Sequence, residues 1–331
     1  MRVLFVGVGS IAKRHIINLK TVCREKGISV RIDCVRRVTS LPLPQSIVQW
    51  IENIYTDEDV LPTKYDIVFI TNPTNMHLEA LLHYKDYTDS FFIEKPIFDL
   101  VTLRKWYASA LFDTFSQKRV YVACPLRYNQ VIQYIKKYVN VRDIYAIRSI
   151  CSSYLPEWRP GTDYRLSYSA DTKMGGGVKI DLIHEWDYLQ YLFGYPIKIH
   201  CLSGKKSDLE IISEDLAVYV AEYPNMMIEL HLDYFGRVAR RELEIFTKED
   251  TLIADINHGT IRYLKSGEQI NFSLDRDDAQ KAELSYALDI FMNKRESDND
   301  IFRAIRTLEL TEGILNENTV YDMRKGWFKG N

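Results

Sequence analysis

The sequence lacks several features that mark specialised classes of protein. Its five cysteines are scattered and include no Cys-x-x-Cys pair, which argues against both a disulfide framework and a zinc site. It has no run of about 18 apolar residues, and it begins with a strand-like segment instead of the charged and apolar regions of a signal peptide. We therefore expect a cytoplasmic protein with reduced thiols and no membrane partner.

The net charge of the chain is also small. A formal charge of -2 gives no basic surplus of the kind that attracts nucleic acid or an anionic membrane surface. A small molecule is therefore the expected partner, and no metal site is expected. With 331 residues, 46% of them hydrophobic, the chain is long enough to bury a core and to form two domains.

The first residues contain a glycine-rich turn. The apolar segment from Arg2 to Val6 precedes a Gly-x-Gly-x-x-Ala motif, and an amphipathic pattern that predicts a helix follows. In such a motif Gly7 permits the tight turn, Gly9 lets a pyrophosphate approach the backbone, and Ala12 lets the helix pack closely. The phosphates then lie at the helix N-terminus; the alternative is a purely structural turn. The candidate cofactor residues are Gly7, Gly9, Ser10, Ile11 and Ala12.

The end of the second predicted strand, at about residues 29–35, bears on the choice of cofactor. An acidic residue here bonds the ribose 2'-hydroxyl of NAD, whereas an arginine accommodates the 2'-phosphate of NADP. Asp33 has roughly the spacing of the acid, but the strand pattern keeps it inside the strand and leaves Arg36 and Arg37 at the carboxyl end. We therefore predict that NADP(H) is preferred, with NAD(H) as the alternative cofactor. The alternative is that Arg36 and Arg37 are ordinary surface charges with no role in binding the cofactor.

Two further buried strands, at residues 66–70 and 90–93, end in polar loops. Open α/β sheets bind ligands at the carboxyl ends of their strands. After the strand at 90–93, Pro96 fixes the turn and presents Lys95 at this edge, where the lysine can stabilise negative charge on a substrate oxygen. Taken alone, His77 is better explained as a capping or packing residue, and the alternative for Lys95 is a surface ion pair with Glu94. The candidate cofactor residues of these loops are Thr71, Asn72, Pro73, Asn75, His77, Glu94 and Lys95.

The composition changes after Cys124. A predicted helix at about 130–138 is followed by seven strand-like segments, at 144–154, 197–203, 217–223, 226–235, 241–247, 251–255 and 260–263. Several alternate apolar with polar residues, which predicts a mostly antiparallel sheet with one covered face. Helices at about 277–293 and 301–316 end the chain. We therefore predict a dinucleotide-binding domain at 1–124 and a substrate-binding domain at 125–331, with the option that the last helices pack on the first domain.

The stretch from Gly175 to Leu189 carries groups suited to proton transfer. Three glycines open an amphipathic pattern that predicts one helix, on which Asp181 and His184 share a face. The unperturbed pKa of histidine, about 6.5, lies near working pH. The alternative for His184 is a histidine that only packs within the helix.

A loop punctuated by glycine and proline precedes this stretch. Long loops of this kind are often functional, and aromatic and arginine side chains suit stacking on a sugar ring and pairing with an anion. Trp158 is explained equally well as a residue that pins the loop to the core. The candidate substrate residues are Arg127 and Tyr128 at the domain crossing, Trp158, Arg159, Tyr164 and Arg165 in the loop, and Asp181 and His184.

Five ordered motifs together resemble the Gfo/Idh/MocA family of oxidoreductases, which includes glucose-fructose oxidoreductase and inositol dehydrogenase. They are Gly7-x-Gly9-Ser10-Ile11-Ala12-x-Arg14-His15, Asn72-Pro73-Thr74-x-x-His77, Glu94-Lys95-Pro96, Arg127-Tyr128-Asn129, and Gly175-Gly176-Gly177 with Asp181 and His184-x-x-Asp187. The resemblance implies an α/β protein in which a Rossmann domain with a doubly wound parallel sheet precedes an α+β domain with a large open, mostly antiparallel sheet. It also implies NAD or NADP as hydride carrier and a homodimer or homotetramer formed through the outer face of that sheet.

The same resemblance implies a reaction, the reversible oxidation of a secondary alcohol on a sugar, sugar nucleotide or polyol. Lys95 and His184 are the implied catalytic pair: His184 takes the hydroxyl proton and Lys95 stabilises the oxygen. Asp181 is a third catalytic candidate, but it stands three residues before His184, where the family most often has four. Some segments look most like a bacterial subgroup associated with surface-polysaccharide and sialic-acid-like sugars. A non-catalytic NAD(P)-binding regulator of the same fold is the alternative to an enzyme.

Overall fold

The computed structural model describes residues 1–57, 59–109, 111–275, 277–315, 319–322 and 327–330. They form two compact units, Met1–Tyr128 with Asp275–Ile305 and Asn129–Leu274 with Arg306–Asn331. The predicted boundary lay after residue 124, with the option that the last helices pack on the first domain, and here residues 275–305 belong to the first unit. The apolar face of the helix at Asp278–Phe291 packs into the first unit's core, which accounts for this placement.

Along the chain, the strands of a parallel sheet come first and the strands of a mostly antiparallel sheet follow. The strands are β1 (Arg2–Val6), β2 (Arg31–Arg36), β3 (Asn53–Thr56), β4 (Ile67–Ile70), β5 (Ser90–Ile93), β6 (Arg119–Val122), β7 (Ile144–Tyr154), β8 (Lys198–Gly204), β9 (Leu216–Glu222), β10 (Met227–Asp233), β11 (Phe235–Thr247), β12 (Thr251–Asp255), β13 (Thr260–Tyr263), β14 (Gln269–Asn271), β15 (Thr319–Asp322) and β16 (Trp327–Gly330). The helices are α1 (Ser10–Glu25), α2 (Gln45–Val48), α3 (His77–Tyr84), α4 (Leu100–Tyr107), α5 (Leu111–Ser116), α6 (Gln130–Tyr138), α7 (Val178–Asp181), α8 (His184–Phe193), α9 (Asp278–Phe291) and α10 (Ile301–Thr311). None of those in the described ranges is long and apolar enough to cross a lipid bilayer.

The sheet of the first unit is parallel and follows the order β3-β2-β1-β4-β5-β6. This is the order of the doubly wound dinucleotide-binding fold, so the predicted fold class is confirmed. Strands β4 and β5 are buried along their whole length, as apolar strands covered on both faces must be. Phe69 stacks between Phe5 and Phe92, with ring centroids 4.5 and 4.6 Å away, and ties the central strands together.

The second unit contains a mostly antiparallel sheet, as predicted. Among the described residues its order is β14-β13-β12-β11-β7-β10-β9-β8, and β7 pairs with β10 in parallel. The short strand β14 was not predicted. Helix α8 packs on the inner face of the sheet, where the buried ring of Trp186 meets Tyr219 edge to face at 5.4 Å.

The helix predicted over Gly175 to Leu189 is wrong in one respect, because the structure has two short helices there. The α-helical pattern ends at Leu182, and the amides of Ile183 and Glu185 bond three residues back instead of four. Gly177, with φ at 138°, precedes α7, and any side chain there would collide with the carboxylate of Glu214. Asp181 and His184 therefore do not share a face of one continuous helix.

Four of the five cysteine side chains are buried, as expected from the sequence. Burial raises the pKa of the Cys23 thiol to about 11 and that of Cys34 to about 12. These thiols remain protonated at neutral pH, so they act as small apolar core residues.

The turn after β1 yields a stability prediction. At Gly7, with φ at 82°, a Cβ would lie 2.8 Å from the Cα of Asn72, whereas at Gly9 a Cβ would meet nothing within 4 Å. Gly7→Ala should lower the free energy of unfolding by roughly 2–4 kcal/mol through the left-handed backbone and the overlap. Gly9→Ala, the matched control, should stay within about 1 kcal/mol of wild type. Urea denaturation followed by circular dichroism measures both, and equal losses would contradict the assignment.

Candidate functional site

The polar edge of the first unit lies where the strand order of the parallel sheet reverses. β1 pairs with β4 so that Val6 lies beside Ile70, and the loops that follow these two strands leave the sheet side by side. The hydroxyl of Thr71 donates to the carbonyl oxygen of Gly7 at 2.7 Å, which joins the two loops. In open α/β sheets a crevice of this kind is the ligand-binding position.

The N-terminus of α1 in this edge suits an anion. Its N-cap, Gly9, has no side chain to cap the helix, and the first turn contains no acidic residue. Ser10 is exposed and Ile11 is half-buried, whereas Ala12 is fully buried against the sheet. The exposed amides and the helix dipole can therefore hold a phosphate group.

The loop after β4 contains an unsatisfied polar atom. The Oδ1 atom of Asn72 is buried and has no hydrogen-bond partner among the described residues. Buried acceptors are normally paired, so a group that donates a hydrogen bond fits here. Pro73 and Asn75 lie exposed on the same loop. This edge therefore offers the groups that a dinucleotide would need, with backbone amides at Gly9 and Ser10 for a pyrophosphate.

His77 is placed where it ties two loops together. Its imidazole is buried, with Nδ1 3.0 Å from the carbonyl oxygen of Ile97 and Nε2 3.0 Å from that of Asn72. Burial lowers the pKa of this histidine, outweighing the hydrogen bonds that oppose it. The geometry supports the packing role for His77 and gives its ring no open direction toward a ligand.

The end of β2 has the arrangement that the sequence predicted for Asp33 and Arg36. Asp33 is buried inside the strand and accepts hydrogen bonds from Arg2 at 3.1 Å, Tyr65 at 3.0 Å and Asn53 at 2.9 Å. Arg36 is the last residue of β2, and its guanidinium donates to the carbonyl oxygen of Leu41. The neighbouring Arg37 is exposed and contacts the sulfur of Met76.

The residues after β5 form a buried acid-base contact. Nε2 of His15, on α1, lies 2.5 Å from Oε1 of Glu94, and Oε2 accepts a hydrogen bond of 3.2 Å from the amide of Lys95. Burial by itself raises the pKa of Glu94, but the hydrogen bond and charge of His15 and the charge of Lys95 hold it below its ordinary value. Lys95 is half-buried, and its peptide bond to Pro96 is cis. Glu94 thus links helix α1 to the backbone of Lys95.

In the second unit Asp181 is tied to tyrosines of the sheet and the loop. The hydroxyl of Tyr234 donates to Oδ2 of Asp181 at 2.5 Å. Burial, followed by the charge of Asp181, raises the pKa of Tyr234 and of Tyr168. Both phenols therefore stay protonated at neutral pH, and the carboxylate of Asp181 has a firm hydrogen-bond donor.

His184 differs from its neighbours in exposure. Across residues 181–190, all of which the structure describes, every side chain is buried except that of His184, which is partly exposed. The adjacent Glu185 is fully buried and pairs with Arg241 of β11 at 2.9 Å. A histidine that served only packing would be buried like the rest of this stretch.

The loop before α7 combines aromatic and charged contacts. Trp158 donates to the hydroxyl of Ser153 at 2.9 Å, and its ring meets Tyr234 edge to face at 5.2 Å. The guanidinium of Arg159 lies 5.6 Å from the ring centre of Tyr168. Within the second unit the structure therefore links Trp158 and Arg159 to the tyrosines around Asp181.

The other two candidates of the loop are occupied on the surface. Arg165 forms ion pairs with Asp163 at 2.8 Å and with Glu210 at 2.9 Å. The hydroxyl of Tyr164 accepts a hydrogen bond of 3.2 Å from the amide of Glu210. These contacts support a role in shaping the loop.

Arg127 and Tyr128, which were predicted to bind substrate, lie inside the first unit. Arg127 is only 4% exposed, and its guanidinium donates to the carbonyl oxygen of Asp298 and the side chain of Asn299, both at 3.0 Å. The hydroxyl of Tyr128 bonds that of Tyr121 at 2.9 Å. Their polar groups are committed to the protein, so the structure supports a role in fixing the end of this unit.

Several residues of the site were not found from the sequence. Tyr168 lies in the loop before α7, whereas Tyr234 and Arg241 reach α7 and α8 from distant parts of the chain, and no local motif marks any of the three. Glu214, whose pKa burial raises, lies against Gly177 and was also missed. The one sequence signal was the Gly-Gly-Gly run, which indicates that other residues approach the backbone closely there. Among the described residues no cluster of His, Cys, Asp and Glu is arranged to hold a metal ion.

Comparisons with known proteins bear on the fold. No family model and no curated protein matches the sequence. The chain is similar to a UDP-N-acetylglucosamine 3-dehydrogenase from Acidithiobacillus ferrooxidans, at a TM-score of 0.70 and 16% identity, covering 94% of this chain and 95% of that chain. It is similar to a levoglucosan dehydrogenase in complex with NADH and levoglucosan, at a TM-score of 0.76 and 14% identity, covering 95% and 96%. It is also similar to the WlbA dehydrogenase from Bordetella pertussis in complex with NADH and UDP-GlcNAcA, at a TM-score of 0.71 and 16% identity, covering 95% and 94%. At such identities the likeness shows the fold.

The contact between His15 and Glu94 yields a prediction about pH. Because the pKa of Glu94 is lower in the folded than in the unfolded chain, its stabilising effect is present above the ordinary value of 4.5 and is lost as pH falls through the lower folded value. The free-energy difference between wild type and Glu94→Gln should therefore shrink as pH falls from about 6 to about 3. Chemical denaturation across this range measures it, with Glu79→Gln, an exposed glutamate of the same unit, as control. A difference that does not depend on pH would contradict the assignment.

Proposed function

We propose that this chain is an NAD(P)-dependent oxidoreductase of the Gfo/Idh/MocA type, acting on a secondary alcohol or ketone of a sugar, sugar nucleotide or polyol. The observation that carries the proposal is the partial exposure of His184 among residues 181–190, which are otherwise buried. The uncapped turn at Gly9 and the fold shared with dehydrogenases support it. Sugar-directed chemistry is further supported by Trp158 and Arg159, which suit stacking on a ring and pairing with an anion.

The cofactor is held by the polar edge of the first unit. The amides of Gly9 and Ser10 bind the pyrophosphate at the N-terminus of α1. Arg36 and Arg37, at the end of β2, bind a 2'-phosphate, which favours NADP(H). When bound, the nicotinamide supplies the hydride donor or acceptor.

His184 and Lys95 perform the proton and charge chemistry. In the oxidative direction Nδ1 or Nε2 of His184 accepts the proton of the substrate hydroxyl, and in the reductive direction it returns that proton. A positioned base of this kind contributes roughly 10² to 10⁴ in rate. The ammonium of Lys95 donates to the substrate oxygen and stabilises the charge that develops there. Asp181, held by the hydroxyl of Tyr234, orients the imidazole or a neighbouring hydroxyl.

The rival function is an NAD(P)-binding regulator without turnover. It predicts nucleotide binding that changes the affinity for a protein partner, together with no consumption of NADPH or NADH on any sugar substrate. The presence of both Lys95 and His184 favours the enzyme, since a regulator has no need of an acid-base pair. A pull-down with and without NADPH tests this alternative directly.

The enzyme hypothesis is tested first by binding and then by turnover. NADPH and NADH should bind with energy transfer from the tryptophans, and Gly9→Ala should weaken that binding while the protein stays folded. On a panel of oxidised sugars and sugar nucleotides, His184→Ala should lower kcat by roughly 10² to 10⁴ and Lys95→Ala by roughly 10² to 10³. His200→Ala, on the exposed side of β8, is the control. Failure to bind either nucleotide rejects the proposal.

The cofactor preference has a separate test. Arg36→Asp should remove a charge-assisted contact with the 2'-phosphate and shift the ratio of Kd values toward NADH by roughly tenfold or more. Arg31→Asp, the same change at the other end of β2, should leave the ratio unchanged. Isothermal titration with both nucleotides measures it. An unchanged ratio in Arg36→Asp shows that Arg36 does not read the phosphate.

A further inference from the structure

Helix α8 begins without the usual local restraint. Its N-cap is Ile183, whose apolar side chain cannot cap the helix. The preceding helix α7 has already ended at Asp181, and at the junction the amides of Ile183 and Glu185 bond three residues back. The first residue of α8 is His184, so the orientation of this histidine depends on contacts from elsewhere in the unit.

One such contact comes from the residue beside it. Glu185 is fully buried, and its Oε1 accepts a hydrogen bond of 2.9 Å from Nε of Arg241 on β11. Its Oε2 accepts from the hydroxyl of Tyr188, one turn further along α8. That hydroxyl also lies 3.4 Å from the hydroxyl of Ser149 on β7. The first turn of α8 is therefore bonded to two neighbouring strands of the sheet.

The guanidinium of Arg241 remains charged in this buried position. Burial by itself lowers the pKa of Arg241, but the charge and hydrogen bond of Glu185, together with the neighbouring Cys151 and Tyr188, outweigh it and raise the pKa. A buried ion pair is a weak source of stability, because an apolar pair of similar size often serves as well or better. The pair does fix the orientation of its two side chains, since charge-assisted hydrogen bonds have strict geometry.

We propose that the ion pair between Glu185 and Arg241 positions the imidazole of His184, by fixing the first turn of α8 on the sheet. This inference rests on the proposed function for the role of His184. Arg241 and Glu185 are thus positioning residues: they act through His184 and do not touch the substrate. Supporting residues of this kind hold reactive side chains within the narrow range of useful geometry.

The test removes both charges together, because a single substitution leaves one buried charge without its partner and endangers folding. The double variant Glu185→Leu with Arg241→Met replaces the pair by apolar side chains of similar size. Its matched control is Arg306→Met with Glu309→Leu, which removes the ion pair of 3.0 Å in α10, also largely buried in the second unit. Arg306 lies by Tyr195, beyond the other end of α8.

Two readouts separate positioning from stability. The first needs no substrate: the rate at which diethyl pyrocarbonate modifies His184 at about pH 8, followed by peptide mass spectrometry, with the other histidines as internal references. The second is the division of the effect between kcat and KM. In the folded double variant the modification rate of His184 should change about threefold or more, and kcat should fall roughly 10- to 100-fold with KM nearly unchanged. Arg241→Lys, which keeps a cation beside Glu185, should recover part of the loss.

Other results overturn the proposal. A folded double variant in which His184 is modified at the wild-type rate shows that the pair only supports the fold, as does an equal effect in the Arg306 and Glu309 control. If the double variant does not fold, Glu185→Gln keeps the shape without the charge, and a wild-type modification rate in it contradicts the proposal. Failure of the proposed function is seen separately, as unchanged turnover in His184→Ala, and leaves the modification result interpretable.

Discussion

The close approach of the Gly7 turn to Asn72 is the constraint on which the polar edge of the first unit depends. Parallel pairing of β1 with β4 starts both loops from neighbouring positions, and the space between them admits only the hydrogen of a glycine. Backbone fills that space, so one loop cannot shift without the other. The exposed amides at the start of α1 and the unsatisfied oxygen of Asn72 are thus held in one arrangement, which is what a preorganised ligand site requires.

The second unit fixes its reactive stretch by a different means. The stretch is two short helices that bring buried carboxylates to separate partners: α7 brings Asp181 to Tyr234, and α8 brings Glu185 to Arg241. Burying a carboxylate is costly unless it is bonded, so these contacts strongly favour one placement of each helix. Together they hold a run, residues 181–190, that is buried everywhere except at His184.

Much of this was accessible from the sequence, because the signals were local. The turn at Gly7 and Gly9, the burial of Asp33 and the position of Arg36 at the end of β2 all follow from alternation and turn chemistry within a few residues. The break at Leu182 does not, because helical periodicity continues across it. The partners Tyr234 and Arg241 lie about fifty residues further along, and only the strand register of β7, β10 and β11 brings them to these helices. For Arg127 the sequence motif predicted a substrate contact; its bond to Asn299 could not be read from the sequence, because it depends on the return of the chain to the first unit.

The break also changes how the spacing of Asp181 and His184 should be judged. A spacing of three or four residues specifies a shared face only on a continuous helix. Here the chain changes its hydrogen-bonding pattern between the two residues, so counting positions cannot decide whether they cooperate. What decides the role of Asp181 is its environment: its carboxylate accepts a hydrogen bond from the hydroxyl of Tyr234, which holds it in place. The departure from the common family spacing is therefore no reason to exclude Asp181 from the site. The contact of Asp181 with Tyr234 is a reason to include it.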